Sequence, residues 1–158
     1  MITTLIQVVA IVSVLANAVV YGTDACFALI TRSVYTKLDD HALTISAGWG
    51  HYYGDRRMPI VGVGGMATAV VATAVAAIWG HTSAAIAAGI SVVALATWLG
   101  IYVRVAKPIN TTQTAAAHSG VIPVNARALQ DKWNSVINAR VVLQFVAVAA
   151  LCAAIALA

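Results

Sequence analysis

Charge is what this chain has least of. Only 9% of its 158 residues are Asp, Glu, Lys or Arg, against about 25% in soluble domains. That scarcity excludes an ordinary water-facing surface. Cysteine is scarce as well, with two residues, Cys26 and Cys152. In the membrane topology derived below they lie at very different depths, which excludes an intramolecular disulfide. Each reads as a small apolar packing residue. Basic residues are absent from the N-terminus, from the turn around His81-Thr82-Ser83 and from the C-terminus.

What fills the chain is apolar, 61% of it, gathered in four runs at roughly residues 3–30, 59–79, 84–103 and 136–157. Each is close to the ~20 residues that carry a helix across the hydrocarbon core of a bilayer. Arg32, Lys37, Arg56 and Arg57 fall between the first two runs. Arg104, Lys107, Arg127 and Lys132 fall between the last two, with Arg140 just inside the final run. The positive-inside bias predicts both long loops in the cytoplasm and both termini outside, in a multi-pass protein of the cell membrane. The expected fold is all-α: a single integral domain over 1–158, built as a four-helix transmembrane bundle with partly helical cytoplasmic loops. The net charge of +4 sits at helix ends, where it meets anionic lipid and is not a nucleic-acid footprint. The first run is too long for a signal-peptide core and has no basic stretch before it, so it is expected to be retained as a helix.

In the first span Ser13, Asn17, Tyr21 and Asp24 recur at helical spacing, so one polar face must look into the bundle. The second helix is expected to start at Pro59. Its small residues at four-residue spacing, Gly64 to Thr68 and Gly65 to Ala69, read as a packing face. No strand precedes these glycines, so a phosphate-binding loop is excluded. The third span places Ser91, Leu95, Trp98 and Tyr102 on one face. The two aromatics read as interfacial belt residues or, alternatively, as pocket lining. Lys107-Pro108 is expected to end that helix. Asn110 is then placed to cap a short helix through His118 that Gly120 closes. After Pro123, Asn125 is placed to cap a further stretch that runs into the fourth span, where Trp133, Ile137, Arg140 and Gln144 share a face.

An ionisable group inside a span costs ~2.5–3.5 kcal/mol at mid-helix and requires a partner or a purpose. Asp24 and Arg140 are two such groups at matching depth, and an arginine fork suits a carboxylate. One reading is a buried ion pair that fixes helix register. The other is a cytoplasm-facing pocket lined with Asn17, Tyr21, Asn138, Gln144, Trp98 and Trp133, in which Asp24 acts as base and Arg140 stabilises an oxyanion. Arg104 reads as an interfacial anchor. The four histidines form no pair at one depth within the spans, as a transmembrane haem requires. His51 and Asp55 have i, i+4 spacing, but Gly54 between them counts against a helix, and His41 and His118 read as loop residues. Asp39-Asp40 reads as a solvated pair or a helix cap. No metal site is expected.

Three short motifs carry a family resemblance: Tyr-Gly-Thr-Asp at 21–24, Pro-Ile-Asn at 108–110, and Trp133-Asn134 with Arg140 seven residues after the tryptophan. In these, and in hydropathy and loop lengths along essentially the whole chain, it resembles the small four-span family that includes the anthrone oxygenases. It departs from the pattern at Ile137, where such proteins often carry His or Asn, with Asn138 one place later. The resemblance implies oxidation of a flat, hydrophobic, anthrone-like phenolic by dioxygen without metal or flavin. It adds Asn110 and Asn134 to the candidate substrate contacts, beside Tyr102 from the third span. The competing reading is non-catalytic: an accessory subunit of a larger membrane assembly or a lipophile-binding protein, with 110–133 as a docking surface. A homo-oligomeric transporter is less favoured, because the midplane helices carry no break.

Overall fold

The structure, a computed structural model, describes residues 1–158. The apolar runs form four helices, α1 (Ile2–Tyr35), α2 (Asp40–Ile78), α3 (Thr82–Ser119) and α4 (Ala126–Leu157). There is no strand. Each helix is long and apolar enough to cross a membrane. At 1.5 Å per residue each exceeds the ~30 Å hydrocarbon layer. The excess lies at the end that carries the two longer connections. There residues 40–58 of α2 run on beyond its apolar part.

Each helix packs against its neighbours in sequence, and α1 closes the square against α4. Both termini and the turn at residues 79–81 share one end, where Gln7 Nε2 donates to the Ile155 carbonyl at 3.3 Å. All nine basic residues lie in the opposite half.

The terminal half is packed with small side chains. Ile6, Ala76 and Ala84 form the outermost layer. Ala10, Ala72, Ala87, Ala88 and Ala154 follow, then Ala69, Ala94, Leu95, Ala147 and Leu151. Alanine brings helix axes close, so dispersion contacts hold the bundle where lipid offers no hydrophobic drive. Gly65 does the same for α1 and α2. A Cβ there would lie 2.8 Å from Asn17 Nδ2, and Ser13 Oγ donates to the Gly65 carbonyl at 2.7 Å. Gly48 serves the α2–α3 contact, since a Cβ would collide with the Gln113 carbonyl and Ala117. Gly64, by contrast, faces open space, so only the Gly65–Ala69 pair of the small-residue pattern packs inward.

Several expectations are corrected. The second helix starts at Asp40, where Asp39 caps it by accepting from the Ala42 amide at 2.7 Å. Pro59 and Gly54 both lie inside this helix. Proline costs about 3 kcal/mol in a helix interior, and here the contacts of residues 43–58 with α3 outweigh that penalty. The third helix passes through Lys107-Pro108, preceded by a wider π turn, Tyr102–Ala106. The wider turn takes up the ring, and the helix ends at Gly120 with φ 71°. Asn110 is therefore an interior residue and no cap. Asn125 precedes α4 as expected, but its side chain makes no capping bond. His41 and His118 are helical. Cys26 and Cys152 are exposed free thiols that do not pack in the core.

Candidate functional site

Below the alanine layers the bundle opens into a cavity of about 760 Å³, within the range of small-molecule sites. Two polar clusters stand on its walls. In the first, Asp24 of α1 accepts from Arg140 Nη2 of α4 at 2.9 Å and from Trp98 Nε1 of α3 at 3.0 Å. The Arg140 guanidinium lies among aromatic faces, 5.3 Å from the ring centres of both Trp98 and Trp133 and 5.9 Å from that of Tyr102. Trp98 and Tyr102 stack nearly parallel with centroids 6.0 Å apart, one turn apart on α3. Asp24 ends the buried stripe of α1, while Arg140 lies midway along that of α4, and Trp98 of α3 reaches Asp24 from the side.

In the second cluster Asp55 of α2 accepts from the Tyr102 hydroxyl at 2.8 Å and from Asn110 Nδ2 at 3.1 and 3.3 Å. Asn110 Oδ1 in turn accepts from Trp133 Nε1 at 3.0 Å. Asp55 and His51 lie one turn apart on the segment of α2 that continues ahead of Pro59. His51 lies about 12 Å along the helix before Pro59, outside the apolar span. Burial pushes its imidazole down to about 4, against the partial compensation of the Asp55 carboxylate, so the ring is neutral at pH 7. Its Nε2 makes no direct hydrogen bond, although the Gln113 side chain lies near enough to the ring to offset part of the shift; Arg140 Nε and Gln144 Oε1 have no partner. His51, Arg140 and Gln144 line the cavity. Buried polar atoms rarely stay unpaired without a reason.

Of the residues singled out from sequence, Asn17, Asp24, Trp98, Tyr102, Asn110, Trp133, Arg140 and Gln144 line this one cavity. Three do not. Tyr21 sits against Phe145, with ring centres 6.4 Å apart. Asn134 accepts from Gln130 at 3.0 Å and borders a smaller pocket. Asn138 is exposed and meets Arg32 at 3.5 Å. His51 and Asp55, set aside in the sequence because of Gly54, line the cavity as well. Their i, i+4 spacing was the available signal. No three His, Cys, Asp or Glu side chains come together in a group that could hold a metal ion.

Toward the long connections the cavity has a packed floor. Leu43 and Thr44 are fully buried, and Gln113 Nε2 donates to Gln130 Oε1 at 3.0 Å. Arg127 ties α4 to the α1–α2 connection through Asp40 at 2.7 Å and the carbonyls of Leu38 and Tyr35 at 2.8 and 3.1 Å. Comparison of the chain with family models, with curated proteins and with solved structures finds no match.

Proposed function

We propose that this four-span protein binds a flat, hydrophobic, phenolic small molecule in the cavity and oxidises it with dioxygen, as its resemblance to the anthrone oxygenases implies. The observation that carries the proposal is the cavity itself: an apolar space with a buried ion pair and three unsatisfied polar groups on its walls. A subunit whose pair served only helix register would have that space filled. The charge bias supports a cytoplasmic placement of this half of the bundle.

In this reading both carboxylate oxygens of Asp24 are occupied by donors, so Asp24 holds Arg140 in place and His51 takes the proton. The imidazole, neutral but weakened as a base by burial, removes a proton from the methylene carbon between two aromatic rings, which Arg140 with Gln144 makes more acidic by holding the oxygen on which negative charge develops. The carbanion passes electrons to dioxygen and a peroxide forms at that carbon. Loss of the second methylene proton with cleavage of the O–O bond leaves a carbonyl and releases water. One oxygen atom enters the product and the other leaves as water, so no outside reductant is needed.

The test uses the purified protein in detergent with a hydroxyanthrone. Quenching of Trp98 and Trp133 fluorescence reports binding, and oxygen uptake with quinone absorbance reports turnover. His51→Gln is expected to lower turnover by about 10²-fold or more while leaving quenching within a few-fold. Quenching without oxygen uptake would replace the oxygenase with a lipophile-binding protein, and absence of both would overturn the site.

A further inference from the structure

We propose that the cavity is loaded sideways from the lipid leaflet, through a window between α1 and α2, by an amphiphile that carries an aromatic hydroxyl at its polar end and leaves its apolar part among the acyl chains. This rests on the reading of the cavity as a ligand site and adds the route and the shape of the ligand.

The window lies between two clasps. At one end Ser13 Oγ holds the Gly65 carbonyl at 2.7 Å. At the other the Tyr35 hydroxyl meets Ser46 Oγ at 3.3 Å. Between them the two helices part. A Cβ built at Gly22, Gly50 or Gly54 meets nothing within 4 Å, and at Gly62 only Val20 Cγ2 at 4.0 Å. Those four glycines also line the cavity, so the space they leave is continuous with it. Val19, Cys26 and Val63 line the same cavity while standing exposed on the outer surface. Along α1 the opening runs from about residue 20 to 31, or ~17 Å at 1.5 Å per residue. Its lower rim is the π turn Phe27–Thr31, a local widening of the kind that recurs at functional sites. Along the bundle axis the cavity is closed by the alanine layers at one end and by the Gln113–Gln130 floor at the other.

Depth selects the ligand. The upper rim, Val19, Gly62 and Val63, belongs to the apolar runs. On the α2 side the lower rim belongs to the polar part of that helix, where the Arg56 and Arg57 guanidiniums lie 3.6 and 4.8 Å from the Tyr52 and Tyr53 ring centres. The window thus straddles the boundary between hydrocarbon and headgroups, where amphiphilic rings settle. Behind it stand Gln144 Oε1, an acceptor, and Arg140 Nε, a donor, both without partners on residues only 1% and 5% exposed. A hydroxyl can donate to the first and accept from the second, and the Trp98, Tyr102 and Trp133 rings that line the same cavity favour one carried on an aromatic ring.

The experiment uses proteoliposomes of phosphatidylcholine with phosphatidylglycerol and two long-chain alkylphenols, one with a photoactivatable diazirine on the ring and one with it at the chain end. The ring probe is expected to label Trp98, Trp133 or Gln144, and the chain-end probe Val19, Cys26 or Val63. Gly22→Trp, which fills the opening, is expected to cut interior labelling about tenfold. Gly64→Trp, on the surface away from the cavity, is expected to leave it unchanged. Equal labelling in the two variants, or ring labelling confined to the outer surface, would overturn the window. If a hydroxyanthrone still quenches the tryptophans in detergent, that failure belongs to the window alone. If quenching is absent too, the site reading falls and takes the window with it.

Discussion

Breaking the ion pair from either side should have unequal consequences, and the inequality follows from the surroundings. The side chains of Arg140 and Asp24 are 6% and 7% exposed and 2.9 Å apart. Arg140→Gln strands a carboxylate whose one other donor is the Trp98 indole. Removing one member of a buried pair costs about 3–5 kcal/mol. Asp24→Asn strands a guanidinium, but that cation keeps aromatic faces at 5.3, 5.3 and 5.9 Å, and such contacts are worth about 0.5–2 kcal/mol. The loss from Asp24→Asn is therefore expected to be smaller by about 1–2 kcal/mol. The double variant removes both charges and leaves two amides able to bond each other. It should be more stable than Arg140→Gln alone by about 2 kcal/mol, within the coupling range of contacting groups. Pulse proteolysis across a series of SDS mole fractions measures all four proteins. Single losses that simply add, with coupling under about 0.5 kcal/mol, would mean that water in the cavity already solvates both charges, and the argument from dry burial would fail.

Gly48→Ala should cost about 1–3 kcal/mol by overpacking, because its Cβ meets the Gln113 carbonyl and Ala117. Gly64→Ala, with nothing near its Cβ, should instead gain about 0.5–1 kcal/mol through helix propensity; the same unfolding assay separates the two. The His51 imidazole titrates at about 4 in the folded protein against 6.5 unfolded. The unfolded chain therefore binds more protons between those values, so stability is full above about pH 6.5 and falls as pH drops toward 4. The difference is worth at most about 3 kcal/mol. His51→Gln should flatten that slope in unfolding curves taken from pH 7.5 to 4.5, and an unchanged slope would place the acid sensitivity elsewhere. Oxygen uptake by the His51→Gln protein and the labelling pattern of the two alkylphenol probes complete the set.

The spans were readable because hydropathy and charge are first-order quantities: lipid tolerates few alternatives to a continuous apolar helix. The pairing of Asp24 with Arg140 was readable for the same reason, since two ionic groups at one depth of hydrocarbon have few other partners. What local rules missed lies where tertiary contacts override them. Pro59, Gly54 and Pro108 all argue for breaks, yet the helices pass through them, because one flank is pinned by apolar packing and the other by bonds such as Asn110 to Asp55. That continuity brings His51 and Asp55 to the cavity. Helical spacing also overreached. Tyr21 shares a nominal stripe with Asp24, but a three-residue step places it beside Phe145 on the outside. Asn138 sits two residues from Arg140 and so faces away from it.

The layers of alanine above the cavity have a consequence for the membrane as a whole. A buried acid–base site in a bilayer invites proton leakage whenever water can thread from one side to the other. Here Ala69, Ala72 and Ala76 on α2, against Ala94, Ala88 and Ala84 on α3, seal the far half of the bundle. The cavity is closed toward that end. On the proposed reading, a ligand that enters through the α1–α2 window leaves by the same side, and a plug made of methyl groups separates it from the far end of the bundle.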